Sequence, residues 1–116
     1  MAPTPLKLNL VEGSVSFAFT ADAARELQQA IAQLMQSLKA ATQAIGGGAK
    51  PTPQKPMEYR YSGDVFLEIF CNPNIWPSPF AAKVLVTLRD ERIRLTTEAE
   101  LTRLIDDVNQ YLEQVG

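Results

Sequence analysis

A chain of 116 residues is long enough for one hydrophobic core and too short for two, and its 46% apolar and 21% charged residues exclude a disordered or fibrous chain. A formal net charge of -2 and a pI near 5.1 argue against general affinity for nucleic acid or anionic membranes. Histidine is absent, which removes the usual acid–base group at neutral pH, and the one cysteine, Cys71, supports neither an internal disulfide nor a metal-binding cysteine cluster.

The chain opens in period two. Leu6, Leu8 and Leu10 alternate with Lys7 and Asn9; after Glu12-Gly13, Val15, Phe17 and Phe19 alternate with small or polar residues. This predicts a β-hairpin with one apolar face. The period then lengthens. Thr20 is a suitable N-cap and Asp22 suits the first turn of a helix. Ala24, Leu27, Ile31, Leu34, Leu38, Ala41 and Ile45 recur at spacings of three and four, as a heptad does. Gly46-Gly47-Gly48 then stops the helix, Gly46 suiting its left-handed C-terminal position. Residues 46–56, rich in Gly and Pro, read as a flexible exposed linker inside a single domain of residues 1–116.

Beyond the linker, Met57, Tyr59 and Tyr61 alternate with Glu58 and Arg60. After Ser62-Gly63-Asp64, the run Val65–Cys71 is apolar on nearly both sides, as in a central strand covered on each face. Residues 72–80 form a loop with three prolines that nevertheless carries Ile75, Trp76 and Phe80. A last hairpin spans Lys83–Thr96. A turn at Asp90-Glu91 would pair Leu88 with Ile93 and Val86 with Leu95, leaving Leu85, Thr87, Arg89, Arg92 and Arg94 on the other side. Thr97-Glu98-Ala99-Glu100 has the form of a capping box. It precedes a helical stripe of Leu101, Leu104, Ile105, Val108, Leu112 and Val115, with Tyr111 at its margin and Arg103 one turn before Asp107. The expected fold is α+β, an antiparallel sheet of about six short strands in the order ββα-ββββα, with two helices packed mainly on one face.

Three features bear on function. The heptad seam of Leu27, Ile31, Leu34 and Leu38 is either the core face of its helix or a surface shared with a partner helix, and its length raises the expectation of a two-fold homodimer. Around Trp76, the aromatic side chains either fold back to plug the end of the sheet or form a rigid binding loop, since Trp is a frequent interface anchor and Pro lowers the cost of ordering. A Trp76-Pro77 pair also draws attention to the isomer of that bond. The arginines Arg89, Arg92 and Arg94 can serve as a solvated strand face or contact phosphate. Asp90 and Glu91 weaken their field, and no aromatic alternates with them to stack bases.

These readings lead to a small non-enzymatic interaction or adaptor protein whose partner is another protein, bound through the first helix, the Trp76 loop or both. One alternative is nucleic-acid association through the Arg89–Arg94 hairpin. Another is a small-molecule or enzymatic site using Tyr59, Tyr61 and Glu68, the last being a carboxylate inside an apolar strand. No catalytic, cofactor or metal site is expected. The glycine run follows a helix and lacks the Lys-Ser/Thr of a phosphate loop. No signal peptide or membrane span is readable, so the expected location is the cytoplasm.

Overall fold

A computed structural model describes residues 4–46 and 53–115, with the backbone alone over 42–46. Its elements follow the expected order: β1 (Leu6–Asn9), β2 (Ser14–Phe17), α1 (Ala21–Gly46), β3 (Met57–Ser62), β4 (Phe66–Cys71), β5 (Lys83–Arg89), β6 (Arg94–Glu100) and α2 (Leu101–Val115). The fold is α+β. The six strands among the described residues are antiparallel and divide into a β1-β2 pair and a four-stranded sheet of order β3-β4-β5-β6.

In the β1-β2 hairpin, Gly13 takes a φ of 84°, a conformation that side-chain-bearing residues seldom adopt. Leu10 N–H closes the turn on the Gly13 carbonyl at 3.0 Å. Alternation then buries Leu6, Leu8 and Phe17, followed by Phe19 just past the strand. Thr20 caps α1 as expected, its hydroxyl accepting from Ala23 N–H at 3.1 Å. Gly46, expected just outside α1, is its last residue. The remaining glycines, Gly47 and Gly48, lie outside the described residues, as does the linker segment through residue 52.

One contiguous core draws on every strand and on both helices. The α1 seam of Ala24, Leu27, Ile31, Leu34 and Leu38 is buried within it, and Ala41 beyond them is buried too. Helix α1 packs on β3 and α2, while α2 also packs on β1 and β6. The heptad spacing thus reflects two contacts inside one chain: a helix neighbour along part of α1 and a sheet edge along the rest. The core and shared-surface readings of the seam resolve in favour of the core.

Two local expectations fail, one to the bonds of a turn and one to strand pairing. The β5-β6 register pairs Leu88 with Leu95 and Val86 with Thr97, two residues away from the expected pairing. Asp90 sets this register. Its side chain accepts from Arg92 N–H and Ile93 N–H at 2.7 and 2.9 Å, and its own N–H donates to the Ile93 carbonyl at 3.0 Å. Residues 90–93 are thereby confined to the turn, and Ile93 is 61% exposed instead of facing the core. Second, Thr97–Glu100 does not cap a helix. These residues continue β6, pairing with Val86 through Lys83, and α2 begins at Leu101. A full set of ladder bonds outweighs one capping box.

Candidate functional site

The four-stranded sheet has one face turned to the helices and one that no described element covers. On the inner face lie Met57, Tyr59, Leu67, Ile69, Cys71, Val84, Val86 and Leu88, all buried. Period two puts Glu58, Arg60, Phe66, Glu68, Phe70, Leu85, Arg89 and Arg94 on the outer face. Strand β4 is therefore central, as its apolar run suggested, but it is covered on one side only; Phe66 and Phe70 are half-buried by their neighbours in the sheet.

This separation decides the fate of the Tyr59, Tyr61 and Glu68 grouping. Tyr59 points inward and its hydroxyl donates to the Ala23 carbonyl in the first turn of α1, at 3.0 Å. Burial pushes this phenol up to about 12. Tyr61 packs edge-on against Phe19, ring centroids 4.7 Å apart. Glu68 lies on the opposite face, where it accepts from Arg60 Nε at 2.7 Å. The three side chains do not converge on a common cavity. Among the described residues, no group of three or more His, Cys, Asp or Glu side chains is arranged to hold a metal ion.

The arginines also separate. Arg89 and Arg94 are cross-strand partners on the outer face, whereas Arg92 sits in the Asp90 turn. Strand β4 supplies the aromatic that the hairpin lacks: the Arg89 guanidinium lies 4.4 Å from the centroid of the Phe66 ring. Sequence reasoning missed this pair because the two residues come from strands joined by a long loop, whose pairing no local pattern reports. The guanidinium already occupies one face of the ring, and Glu58, Glu68, Glu98 and Glu100 on the same sheet face offset the positive charge.

The Trp76 loop divides its apolar residues between two roles. Asn72 ends β4 and caps a short 3-10 turn, Pro73–Ile75, by accepting from Asn74 N–H at 3.0 Å. Asn74 binds both backbone groups of Gln54: its Oδ1 accepts from Gln54 N–H at 2.7 Å and its Nδ2 donates to the Gln54 carbonyl at 2.8 Å. The end of the proposed linker is consequently tied to this turn, contrary to the expectation of free chain through Pro56. Trp76 is half-buried against the core, its indole beside the Cys71 sulfur. Burial pushes that thiol up to about 11, while the indole favours the thiolate. The Trp76-Pro77 bond is trans.

Ile75 and Phe80, which flank Trp76 in the loop, instead face solvent, 66% and 85% exposed. Phe70 and Leu85 are the last β4-β5 pair before the loop, and Leu85 is also exposed on the outer face. Trp76 thus folds back onto the core, whereas Ile75 and Phe80 do not. By contrast, Leu27, Ile31, Leu34 and Leu38 are buried in the folded chain.

Comparison with protein-family models, with curated proteins and with solved structures gives no match to this chain.

Proposed function

We propose that this chain is a non-enzymatic protein-binding module that engages its partner through the Trp76 loop. The observation that carries this reading is the exposure of Ile75 and Phe80 on a loop whose first turn is tied to Gln54 through Asn74. A phenylalanine left in water forgoes the burial that normally stabilises it, on the order of 2 kcal/mol. Anchoring by Asn72, Asn74, Gln54 and the Trp76–Cys71 contact lowers the ordering cost of binding. Such a loop suits an apolar pocket on a partner, with Phe80 as the inserted group and Ile75 beside it.

The test compares what the wild-type chain and the variants Phe80→Asp and Ile75→Asp retain from extracts of the native cell, with circular dichroism to establish that each is folded. Proteins retained by wild type and by Ile93→Asp, but released by both loop variants, meet the expectation. Undiminished retention by folded Phe80→Asp and Ile75→Asp chains overturns it.

A further inference from the structure

In the sheet order β3-β4-β5-β6, the outer edges belong to β3 and β6. They are treated differently. The β6 edge is met by the first hairpin, whose Val11 N–H donates to the Glu98 carbonyl at 3.1 Å. No described element pairs with the outer edge of β3. Strand β3 is six residues long, in unbroken register with β4 from Met57 to Ser62, with no bulge and no internal proline. Its inward side chains are Met57, Tyr59 and Tyr61, with no charge among them. A bulge, an internal proline and an inward-pointing charge, three devices that blunt an edge strand, are missing from this segment, while the charges of Glu58 and Arg60 lie on its outer face.

We propose that β3 pairs antiparallel with β3 of a second copy in a two-fold register centred on Tyr59. This register puts Glu58 opposite Arg60 of the second copy and, by symmetry, Arg60 opposite its Glu58. It also sets Met57 opposite Tyr61. Arg60 is already directly across β4 from Glu68. Each row on the outer face then reads Glu68, Arg60, Glu58 from one chain to the next, with signs alternating. Within one chain Glu58 faces Phe70 instead and, among the described residues, forms no ion pair. In its own chain Glu58 feels Arg60 two residues along without forming an ion pair with it; the second copy sets an arginine directly opposite, and opposite charges across an antiparallel pair favour that register.

The space beside β3 is consistent with an added strand. An open groove of about 370 Å³ runs between Ala30, Gln33, Leu34 and Ser37 of α1 and Met57-Glu58 of β3. The Tyr61 end of the second strand would arrive at its mouth. The result is an eight-stranded sheet across the two-fold axis, an arrangement in which one patch complements itself. A pairing of two short strands forms a small contact, so the dimer is expected to be reversible and concentration-dependent.

Charge exchange tests the register. Two chains are prepared on a Glu68→Gln background, so that a carboxylate at position 60 meets no carboxylate across β4: one with Glu58→Arg, the other with Arg60→Glu. Circular dichroism establishes that each is folded, and sedimentation equilibrium gives the association constant. The Glu68→Gln parent is expected to dimerise. Each charge variant alone should associate at least about tenfold more weakly, and an equimolar mixture should recover the dimer because both cross-strand pairs are then complementary. Independently, mixing a Glu58→Cys chain with an Arg60→Cys chain under mild oxidation should give mainly the 58–60 cross-linked heterodimer. Monomeric wild-type protein at millimolar concentration overturns the proposal, as does a mixture of folded charge variants that fails to associate. Ile75 and Phe80 are unaltered throughout, so failure here leaves the loop reading standing.

Discussion

Asp107, buried in the middle of α2, grips Asn9 at the end of β1 with both carboxylate oxygens: one accepts from the Asn9 backbone N–H at 2.7 Å and the other from its side-chain amide at 2.8 Å. The sequence suggested a different partner, Arg103, one helical turn away, but Arg103 remains exposed. The observed pairing links residues 98 positions apart and joins the first hairpin to the last helix.

Replacing Asp107 by Ala leaves the Asn9 N–H without its acceptor in a partly buried setting. A loss of about 2–3 kcal/mol is expected, read from urea denaturation. Asp107→Asn should cost less, because one amide oxygen can still accept. A change under about 0.5 kcal/mol for the alanine variant would show that the bond has no net role.

Tyr59 predicts a loss of stability in alkali. Its phenol titrates near 12 in the folded chain and near the ordinary value of 10 when unfolded. The folded state therefore holds the proton more tightly. The contribution is complete below pH 10, declines between pH 10 and 12 as the unfolded state ionises, and is lost above 12. The amount is on the order of 1–2 kcal/mol after allowance for screening. In Tyr59→Phe that part of the pH slope should vanish, and about 1 kcal/mol should be lost at pH 7 with the bond to Ala23. An unchanged slope between pH 10 and 12 would contradict the assignment.

The Cys71 thiol should resist alkylation. It is buried, titrates near 11 and faces the Trp76 indole, so little thiolate is present at pH 8. Iodoacetamide labelling should be slow in the native protein and rapid in denaturant. Trp76→Ala should speed native labelling by opening one side of the site. Equal rates in folded and unfolded wild type would rule this out.

The β5-β6 register separates two residues that looked equivalent. Leu88→Ala should cost about 2–4 kcal/mol because its side chain lies in the core. Ile93→Ser should change stability by no more than about 0.5 kcal/mol because Ile93 sits in the turn. Paired thermal melts decide it, and comparable losses for both would restore the pairing of Leu88 with Ile93.

What could be read beforehand depended on range. Periodicity located the hairpin at Gly13, the start of α1 at Thr20 and Leu101, Leu104 and Val108 of the α2 stripe, because spacing along the chain directly determines which side chains share a face; the stripe runs on through Asp107 and Tyr111, leaving Ile105, Leu112 and Val115 at its margin. The seam's destination was not legible: a heptad line is equally suited to a helix in the same chain and to one in another. The Thr97–Glu100 signal was genuine in form, but a local cap competes with strand pairing to Lys83–Val86, whose register no local pattern reports. The site was divided in the same way. Prolines around Trp76 announced a loop, yet only the fold could assign Trp76 inward and Phe80 outward. Phe66 under Arg89, and Asn9 under Asp107, bring together residues far apart in the chain, and composition carries no trace of them.

The direct passage from Glu100 in β6 to Leu101 in α2 has a mechanical consequence. With no connecting residue, and with Leu101 N–H donating to the Ala82 carbonyl at 3.0 Å, the rotational phase of the helix is geared to the pleat of the strand. One alanine inserted at this joint would turn the helix by about 100° and advance it by about 1.5 Å. Asp107 would swing away from Asn9, and the Leu104–Val108 stripe would rotate toward solvent. The chain has no slack there to absorb a change in length, so this joint should tolerate substitution far better than insertion or deletion.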